Sequence, residues 1–335
     1  MSTNTGDIRG QMLRTLDRVV ADTLTVAERE AADGGGMSDK LWSALTSQGM
    51  TELGEAGSEI SFADAMALIE RAAYHAAPVP LGETIFARRL LSRAGLKVPE
   101  GALTLAVQNG APASRRLGGV AFARAVPHAV AAEGGNIHLF DIGAAVTRQA
   151  HNQAGEPRDE IDLGKAKPLA SAPLPYAARR LRTEGALLRA VQLSGALERT
   201  LVHSLSWVND RVQFGKPIAR FQAIQHAMAV MASEVAAAKA AVDMAVEMSG
   251  EEADWFAVAV AKSRAGEAAG KVAAAAHAAF GAIGFTREHL LHYSTRRLWA
   301  WRDEFGSEVD WQAELGRHVA EKGGAKLWET LTAQG

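Results

Sequence analysis

Residues 210–226 combine side chains that could bind a phosphorylated, aromatic ligand. Arg211 offers a planar fork of donors suited to phosphate or carboxylate, and Gln222 and Gln225 can bond amides or ring edges. Pro217 breaks the helical pattern between them, because it lacks an amide donor and restricts the preceding residue. A helix that begins after this break adds free amides and a partial positive charge. The alternative is that Arg211 caps a helix and both glutamines are solvated.

Two long helices must position these side chains, because apolar residues recur at helical spacing on both sides of the break. Arg211 then stands at the end of one helix, and Gln222 stands in the first turn of the next. The apolar positions are Leu187, Val191, Leu193, Leu197, Leu201, Leu205 and Val208 before the break, and Phe221, Ile224, Met228, Met231 and Val235 after it.

Composition narrows the possible functions. A chain of 335 residues can bury a large core and favours more than one domain. The net charge of −2 gives no bulk attraction to nucleic acid, and the absence of cysteine excludes disulfides, thiolate catalysis and Cys-based metal sites. The polar N-terminus has no apolar signal core, and no continuous apolar run predicts a membrane span. We therefore expect a cytoplasmic protein without a membrane or nucleic-acid partner.

The predicted fold is mainly α with a small β domain. Its three parts are an N-terminal helical domain (1–100), a short middle β domain (101–170) and a C-terminal four-helix bundle (171–335). In the first part, residues 7–31 have helical spacing, and Ser38 and Ser61 predict helix starts. The predicted strands are 102–107, 120–126 and 136–142, with a loop at 147–162 and a linker at 162–176. The predicted later helices are 179–211, 219–248, 252–279, 286–302 and 304–323.

Two motifs resemble the acyl-CoA dehydrogenase family. Residues 211–222 are similar to its R-x-x-F-G-x-x-I-x-x-x-Q segment, and residues 280–289 are similar to its G-G-x-G-F-T segment. The resemblance implies the fold predicted above, an FAD cofactor held mainly by the neighbouring subunit, and α,β-desaturation of an acyl-CoA thioester. It also implies an electron-transfer flavoprotein as partner. Metal binding is not predicted, because no carboxylate stands at ligand spacing beside the histidines.

The resemblance also implies which residues contact the flavin. Arg211 would donate to its pyrophosphate or adenosine part, and Gly281 would let the backbone approach the pyrophosphate. The full predicted set is Arg211, Gln213, Phe214, Ile218, Phe221, Gln222 and Gly281. Gln213 and Phe214 would line the adenine side. Ile218 and Phe221 would give apolar contact, and Gln222 a polar one.

The catalytic glutamate of the family has no clear counterpart in this chain. The family places it at one of two positions, of which the first, 26 residues before the motif arginine, is Gly185 here. Glu184 stands beside it, but a neighbour on a helix points about 100° away. The second position falls on Phe305, or on Glu304 after a shift of one residue. Glu304 is therefore the candidate catalytic base; the alternative is a charged residue in a solvated turn.

The family's ring-binding T-E-P-x-x-G-S-D loop and W-I-T strand are not found between residues 100 and 166. The chain thus resembles the shortened subunit of α2β2 steroid-type acyl-CoA dehydrogenases, in which a longer partner subunit carries the base and the ring contacts. Two alternatives remain open. One is a self-sufficient homo-oligomeric dehydrogenase that uses Glu304 as base, and the other is a non-catalytic scaffold that has lost the flavin.

Overall fold

The structure is a computed structural model that describes residues 5–55, 57–107 and 115–332. Its described N-terminal part is helical, as predicted. The helices are α1 (Thr5–Thr23), α2 (Val26–Asp33), α3 (Asp39–Ser47), α4 (Phe62–Tyr74) and α5 (Leu81–Arg93).

Serine side chains begin two of these helices, which confirms the predicted starts. The hydroxyl of Ser38 accepts a hydrogen bond from the Leu41 amide (3.2 Å), and that of Ser61 accepts one from the Asp64 amide (3.1 Å). The helical pattern of residues 7–31 belongs to two helices, because Thr25 interrupts it and caps α2.

The middle part is built from short strands. They are β1 (Leu103–Ala106), β2 (Arg116–Ala121), β3 (His128–Glu133), β4 (Asn136–Asp141), β5 (Val146–Arg148), β6 (Arg158–Asp162) and β7 (Lys167–Pro173). One sheet has the order β1-β3-β4-β7 and the other has the order β2-β6-β5. Only the β1–β3 pair is parallel among the described strands.

Predictions for three segments of this part were wrong in extent. The loop predicted at 147–162 ends in β6, which pairs with β2 and β5. The strand predicted at 120–126 ends at Ala121, because Phe122 has a φ of +52° and the Asp159 carboxylate binds the next turn at the Arg124 amide (2.8 Å). The predicted linker 162–176 contains β7, which pairs with β4. Its prolines are tolerated because β7 lies at the edge of its sheet. β7 therefore continues past residue 170, the predicted domain boundary.

Long helices form the C-terminal part. They are α6 (Ala177–Asp210), α7 (Gln222–Met248), α8 (Trp255–Phe280), α9 (Leu291–Trp301), α10 (Glu308–Lys322) and the short α11 (Leu327–Thr332). Between α6 and α7 lies a hairpin of β8 (Val212–Gln213) and β9 (Lys216–Pro217). The bundle predicted here is confirmed, and α6 and α8 each pack against α7 and α9 and against each other.

Alanines let α8 lie at the centre of this bundle. Ala257, Ala261, Ala265 and Ala268 are fully buried, and α8 packs against α6, α7 and α10. By length and composition alone, the segment Trp255–Phe285 is one helix of the described chain that could cross a membrane. The buried alanines favour its role as a core helix of the bundle.

Candidate active site

Arg211 lies at the junction between α6 and the β8–β9 hairpin. Its extended backbone (φ −75°, ψ 114°) ends α6, while its amide still donates to the Trp207 carbonyl at 2.9 Å. The two-residue turn Phe214–Gly215 has positive φ at both positions (51° and 77°), as a type I′ hairpin turn requires. The Ile218 amide donates to the Arg211 carbonyl at 2.8 Å. The main chain of Arg211 is thus fixed on both sides.

The guanidinium of Arg211 is exposed to solvent and available to an anion. No Asp or Glu among residues 5–55, 57–107 and 115–332 forms an ion pair with it. The neighbouring carboxylate of Asp210 instead accepts a hydrogen bond from Ser206 at 3.1 Å. The contact that Arg211 does make is with an aromatic ring, since its Cζ lies 5.8 Å from the ring centroid of Trp207.

The first turn of α7 faces the same hairpin and has no side-chain cap. The Ile224 and Gln225 amides donate to the Phe221 carbonyl at 3.0 Å, and the helix dipole favours an anion beside the earlier amides of Gln222 and Ala223. Gln222 is exposed at this end. The ring of Phe221 lies 6.1 Å from that of Phe214, and the ammonium of Lys216 lies 4.4 Å from the Phe221 centroid.

The remaining predicted contacts in this segment have mixed surroundings. The side-chain amide of Gln213 donates to the Val212 carbonyl at 2.9 Å and is exposed. Ile218 is half-buried, whereas Phe214 is 91% exposed. The structure therefore groups six of the seven predicted contact residues in one surface segment. Whether they bind flavin stays a prediction.

Gly281, the seventh predicted residue, ends α8 with a φ of 63° and a ψ of −144°. This conformation is open to glycine and costly for other residues. A Cβ atom at this position would meet no heavy atom within 4 Å, so a ligand can approach the backbone. Trp207 joins this segment to Arg211, because its Nε1 donates to the Ala279 carbonyl at 3.2 Å.

Glu304 lies elsewhere, in the turn after α9, and contacts residues of α6 and the β domain. One carboxylate oxygen accepts from Nε of Arg158 at 2.7 Å, and the other accepts from Nε of Arg189 at 2.6 Å. Asn152 donates a third hydrogen bond at 3.0 Å. Burial raises the pKa of Glu304, but Arg158 and Arg189 more than offset this, so its pKa lies below the usual value. This environment favours a carboxylate that holds its negative charge.

The ion pairs continue into a buried network. Arg189 also donates to Glu83 of α5 at 2.9 Å. Arg158 donates to Glu156 at 3.0 Å, and Glu156 accepts from Arg297 at 3.0 Å. Burial raises the pKa of Glu156, but the charges of Arg297 and Arg158 lower it by more, so this pKa falls to about 2. The network therefore ties α5, the β domain and α9 to α6 with permanent charges.

Phe305 closes the space next to Gly185. A Cβ atom on Gly185 would lie 2.7 Å from Cγ of the Phe305 ring and closer still to Cδ1 and Cε1. Phe305 has a φ of 58°, and its ring lies against Gly185. The two positions at which the resemblance would place a base are therefore in contact with each other. Here a glycine and a phenyl ring occupy them.

A cavity of about 440 Å³ lies between the β domain and α9. Glu304 and Arg158 form its charged wall, and Val107 borders it on the β side. The next residues, 108–114, lie outside the described residues. The predicted absence of the ring-binding loop falls partly on that segment.

A larger cleft of about 1260 Å³ opens between α5, the start of α6 and the α7–α8 connection. Glu184 lies in its wall and is buried. Its carboxylate lies 3.6 Å from Arg89 and 3.7 Å from Arg93. Glu184 therefore faces away from the Gly185–Phe305 contact, as expected for a neighbour on a helix.

Sequence reasoning missed Arg189, Arg158 and Glu83. Arg189 gave a local signal, because it is a charged residue within the apolar run 186–191 of a buried helix. Such a residue needs a charged partner. Its partners could not be named, since Glu304 is 115 residues away. Among the described residues, no group of three or more His, Cys, Asp or Glu could hold a metal ion.

Comparison with known proteins agrees with this architecture. The C-terminal domain of acyl-CoA dehydrogenases matches residues 175–302. The acyl-CoA dehydrogenase IpdE2 of Mycolicibacterium smegmatis is 30% identical over 256 residues, which are 73% of this chain and 75% of that protein. This chain belongs to the acyl-CoA dehydrogenase family. The resemblance inferred from residues 211–222 and 280–289 is thus confirmed.

Solved structures of this family share the fold over almost the whole chain. A steroid ACAD variant, Tcur3481–Tcur3483, has a TM-score of 0.81 and 21% identity, and covers 95% of this chain and 99% of its own. The ChsE4–ChsE5 complex of Mycobacterium tuberculosis has a TM-score of 0.76 and 18% identity, and covers 96% of this chain and 98% of its own. At these identities the likeness establishes the fold. As members of this family are oxidoreductases with a flavin, we expect a flavin to take part here too.

Proposed function

We propose that this chain is a subunit of a heteromeric, FAD-dependent acyl-CoA dehydrogenase that desaturates an acyl-CoA thioester. It contributes contacts to a flavin held mainly by a longer partner subunit, and that partner supplies the catalytic base. The observation that carries the proposal is the contact between Gly185 and Phe305. At the two positions where the family has its catalytic glutamate, this chain has a glycine and a phenyl ring that fills the space beside it.

The exposed hairpin supports a role across a subunit interface. Phe214 is 91% exposed at its tip, although aromatic side chains usually gain stability from burial. Val212 beside it and Phe285 after Gly281 are also exposed, at 55% and 73%. The exposed residues of α7 include alanines and Val230. These exposed apolar side chains would be covered by a partner subunit.

In this assignment Arg211 and the open end of α7 neutralise the pyrophosphate or adenosine part of the flavin. Gln213 and Phe214 line the adenine, Ile218 and Phe221 give apolar contact, and Gln222 gives a polar one. Gly281 offers a backbone amide without a side chain in front of it. The flavin, when bound, would accept the hydride from the substrate β-carbon.

Further partners follow from family membership. We propose that an electron-transfer flavoprotein reoxidises the complex, and that the complex works in the cytoplasm. The steroid ACAD likeness favours a bulky polycyclic acyl group as substrate.

A self-sufficient enzyme with Glu304 as base is the second candidate. It is favoured by one observation, since Glu304 lines the cavity of about 440 Å³ beside the β domain. Against it stands the chemistry of the carboxylate. Both oxygens of Glu304 are bound by guanidinium groups, which makes it a weak proton acceptor.

The two candidates differ in what the chain does alone. We expect the chain purified alone to lack stoichiometric flavin and turnover, and the chain co-expressed with a longer acyl-CoA dehydrogenase subunit to form an α2β2 complex with both. Flavin absorbance, light scattering and assay with an artificial electron acceptor measure these properties. Stoichiometric flavin and turnover by the chain alone would refute the proposal. A stable complex without flavin would favour a scaffold.

Arg211→Ala tests the assigned contact within the complex. We expect it to lose flavin on gel filtration, because a charge-assisted hydrogen bond to the anion is removed. Arg317→Ala is the matched control, because Arg317 is an exposed arginine on α10. Unchanged flavin content in the Arg211 variant would contradict the assignment.

A further inference from the structure

Trp207 connects the ends of two helices that carry the candidate flavin contacts. It lies on the last turn of α6, four residues before Arg211, and its carbonyl accepts the Arg211 amide. Its indole Nε1 donates to the Ala279 carbonyl of α8 at 3.2 Å. Ala279 stands two residues before Gly281. One side chain therefore contacts both segments.

This hydrogen bond satisfies a group that α8 itself leaves open. The last four carbonyls of a helix lack intrahelical partners, and Ala279 is within the last turn of α8. Gly281 ends α8, and the chain continues in a 3₁₀ turn over Gly281–Phe285. The indole therefore caps α8 directly before the backbone that would meet the pyrophosphate.

Ring contacts hold the indole in one orientation. Trp207 stacks on Phe280 with the centroids 4.8 Å apart and the planes at 11°. The His289 ring meets the Trp207 ring edge-on at 6.0 Å and lies tilted against the Phe280 ring at 4.6 Å. The Arg211 guanidinium also lies near this ring, with its Cζ 5.8 Å from the Trp207 centroid. A ring fixed in this way restricts where the guanidinium can lie.

We propose that Trp207 is a positioning residue, which sets the distance and orientation between Arg211 and the Gly281 backbone so that both can hold one dinucleotide. This inference rests on the proposed flavin contact. It gives α6 and α8 a joint role, because the indole contacts both the segment that carries Arg211 and the segment that carries Gly281. Trp207 itself need not touch the ligand.

The test measures FAD dissociation from the purified complex for Trp207→Phe and Trp207→Leu. The phenyl ring keeps the stack on Phe280 but loses the donor to Ala279, so we expect a few-fold weaker binding. Leucine loses both the stack on Phe280 and the hydrogen bond to Ala279, so we expect FAD to bind about tenfold more weakly, or weaker still. Trp255→Phe and Trp255→Leu are matched controls, because Trp255 is a half-buried tryptophan with Arg179 5.0 Å from its ring. We expect the controls to bind FAD as the wild type does.

A double-mutant cycle separates positioning from a general loss of stability. If Trp207 acts through Arg211, Trp207→Leu should weaken FAD binding much less in an Arg211→Ala background than in the wild type. Full additivity, or wild-type affinity in Trp207→Leu, would overturn the inference while leaving the flavin contact intact. A wild-type complex without flavin would overturn both. If the leucine variant does not assemble, the same cycle with Trp207→Phe decides.

Discussion

The phenyl ring of Phe305 occupies the space in which a side chain at position 185 would lie. Gly185 stands in the middle of a buried stretch of α6, where glycine is otherwise an unfavourable helix residue. The close approach of the ring explains the glycine. A glycine and a phenyl ring thus occupy the two positions at which the resemblance would place the catalytic base.

Gly185→Ala should lower the free energy of unfolding by about 1–3 kcal/mol, because the new methyl group must displace a ring in a packed core. Gly316→Ala is the matched control on α10. A Cβ atom at Gly316 meets nothing within 4 Å, so alanine should be neutral or stabilise by up to about 1 kcal/mol. Urea unfolding measures both. Equal effects at the two positions would contradict the packing described for Phe305.

Glu304→Gln should destabilise the chain by about 3 kcal/mol, because Arg158 and Arg189 would keep their buried charges without a carboxylate between them. Asp303→Asn, at the exposed neighbouring position, is the control and should change the free energy of unfolding little. In the assembled complex we expect Glu304→Gln to retain substrate α-proton exchange, measured in deuterated water. Loss of exchange at full flavin content would instead support Glu304 as the base.

Much of the fold could be predicted because its signals are local. The long helices have apolar residues at helical spacing, and Ser38 and Ser61 cap the helices that follow them. β7 was missed because its prolines suggest a linker, and only its place at a sheet edge makes them acceptable. The contacts within residues 211–222 are close in sequence and could be grouped.

The rest of the site depends on pairs that are distant in sequence. Glu304 meets Arg189 across 115 residues and Arg158 across 146, and Trp207 meets Ala279 across 72. No periodicity links such positions. The sequence could therefore nominate Glu304 as a carboxylate near the site, but it could not show that two arginines hold both its oxygens.

Phe214→Ala should leave the stability of the isolated chain unchanged and weaken its complex with the longer subunit. The ring is 91% exposed, so the free chain loses little packing, whereas buried aromatic anchors often dominate an interface. We expect the dissociation constant to rise about tenfold or more, measured by isothermal titration calorimetry. Val309→Ala, an exposed apolar residue on α10, is the control. Wild-type affinity in the Phe214 variant would exclude the hairpin from the interface.

Lys262 predicts a pH dependence of stability. Burial lowers its pKa to about 7 although Glu304 and Glu308 raise it, and its ammonium donates to the carbonyls of Arg302 (2.5 Å) and Gly306 (2.7 Å). Between about pH 7 and its ordinary pKa of 10.5, the unfolded chain binds more protons than the folded chain. The free energy of unfolding should therefore rise with pH in this window, by at most about 1.4 kcal/mol per unit.

Lys262→Met removes this titration and serves as the comparison. Its stability should follow a flatter pH profile between pH 7 and pH 10, measured by urea unfolding in buffers of equal ionic strength. A slope equal to that of the wild type would show that Lys262 keeps its ordinary pKa in the folded chain.

The tip of the β8–β9 hairpin adds almost nothing to the core of its own chain. In the proposed complex, a substitution there would remove the contact with the partner subunit, while the melting temperature and the protease resistance of the isolated chain would remain normal. A defective variant at this tip would therefore be detected only by an assay of complex formation, since the chain itself would remain folded in the cell.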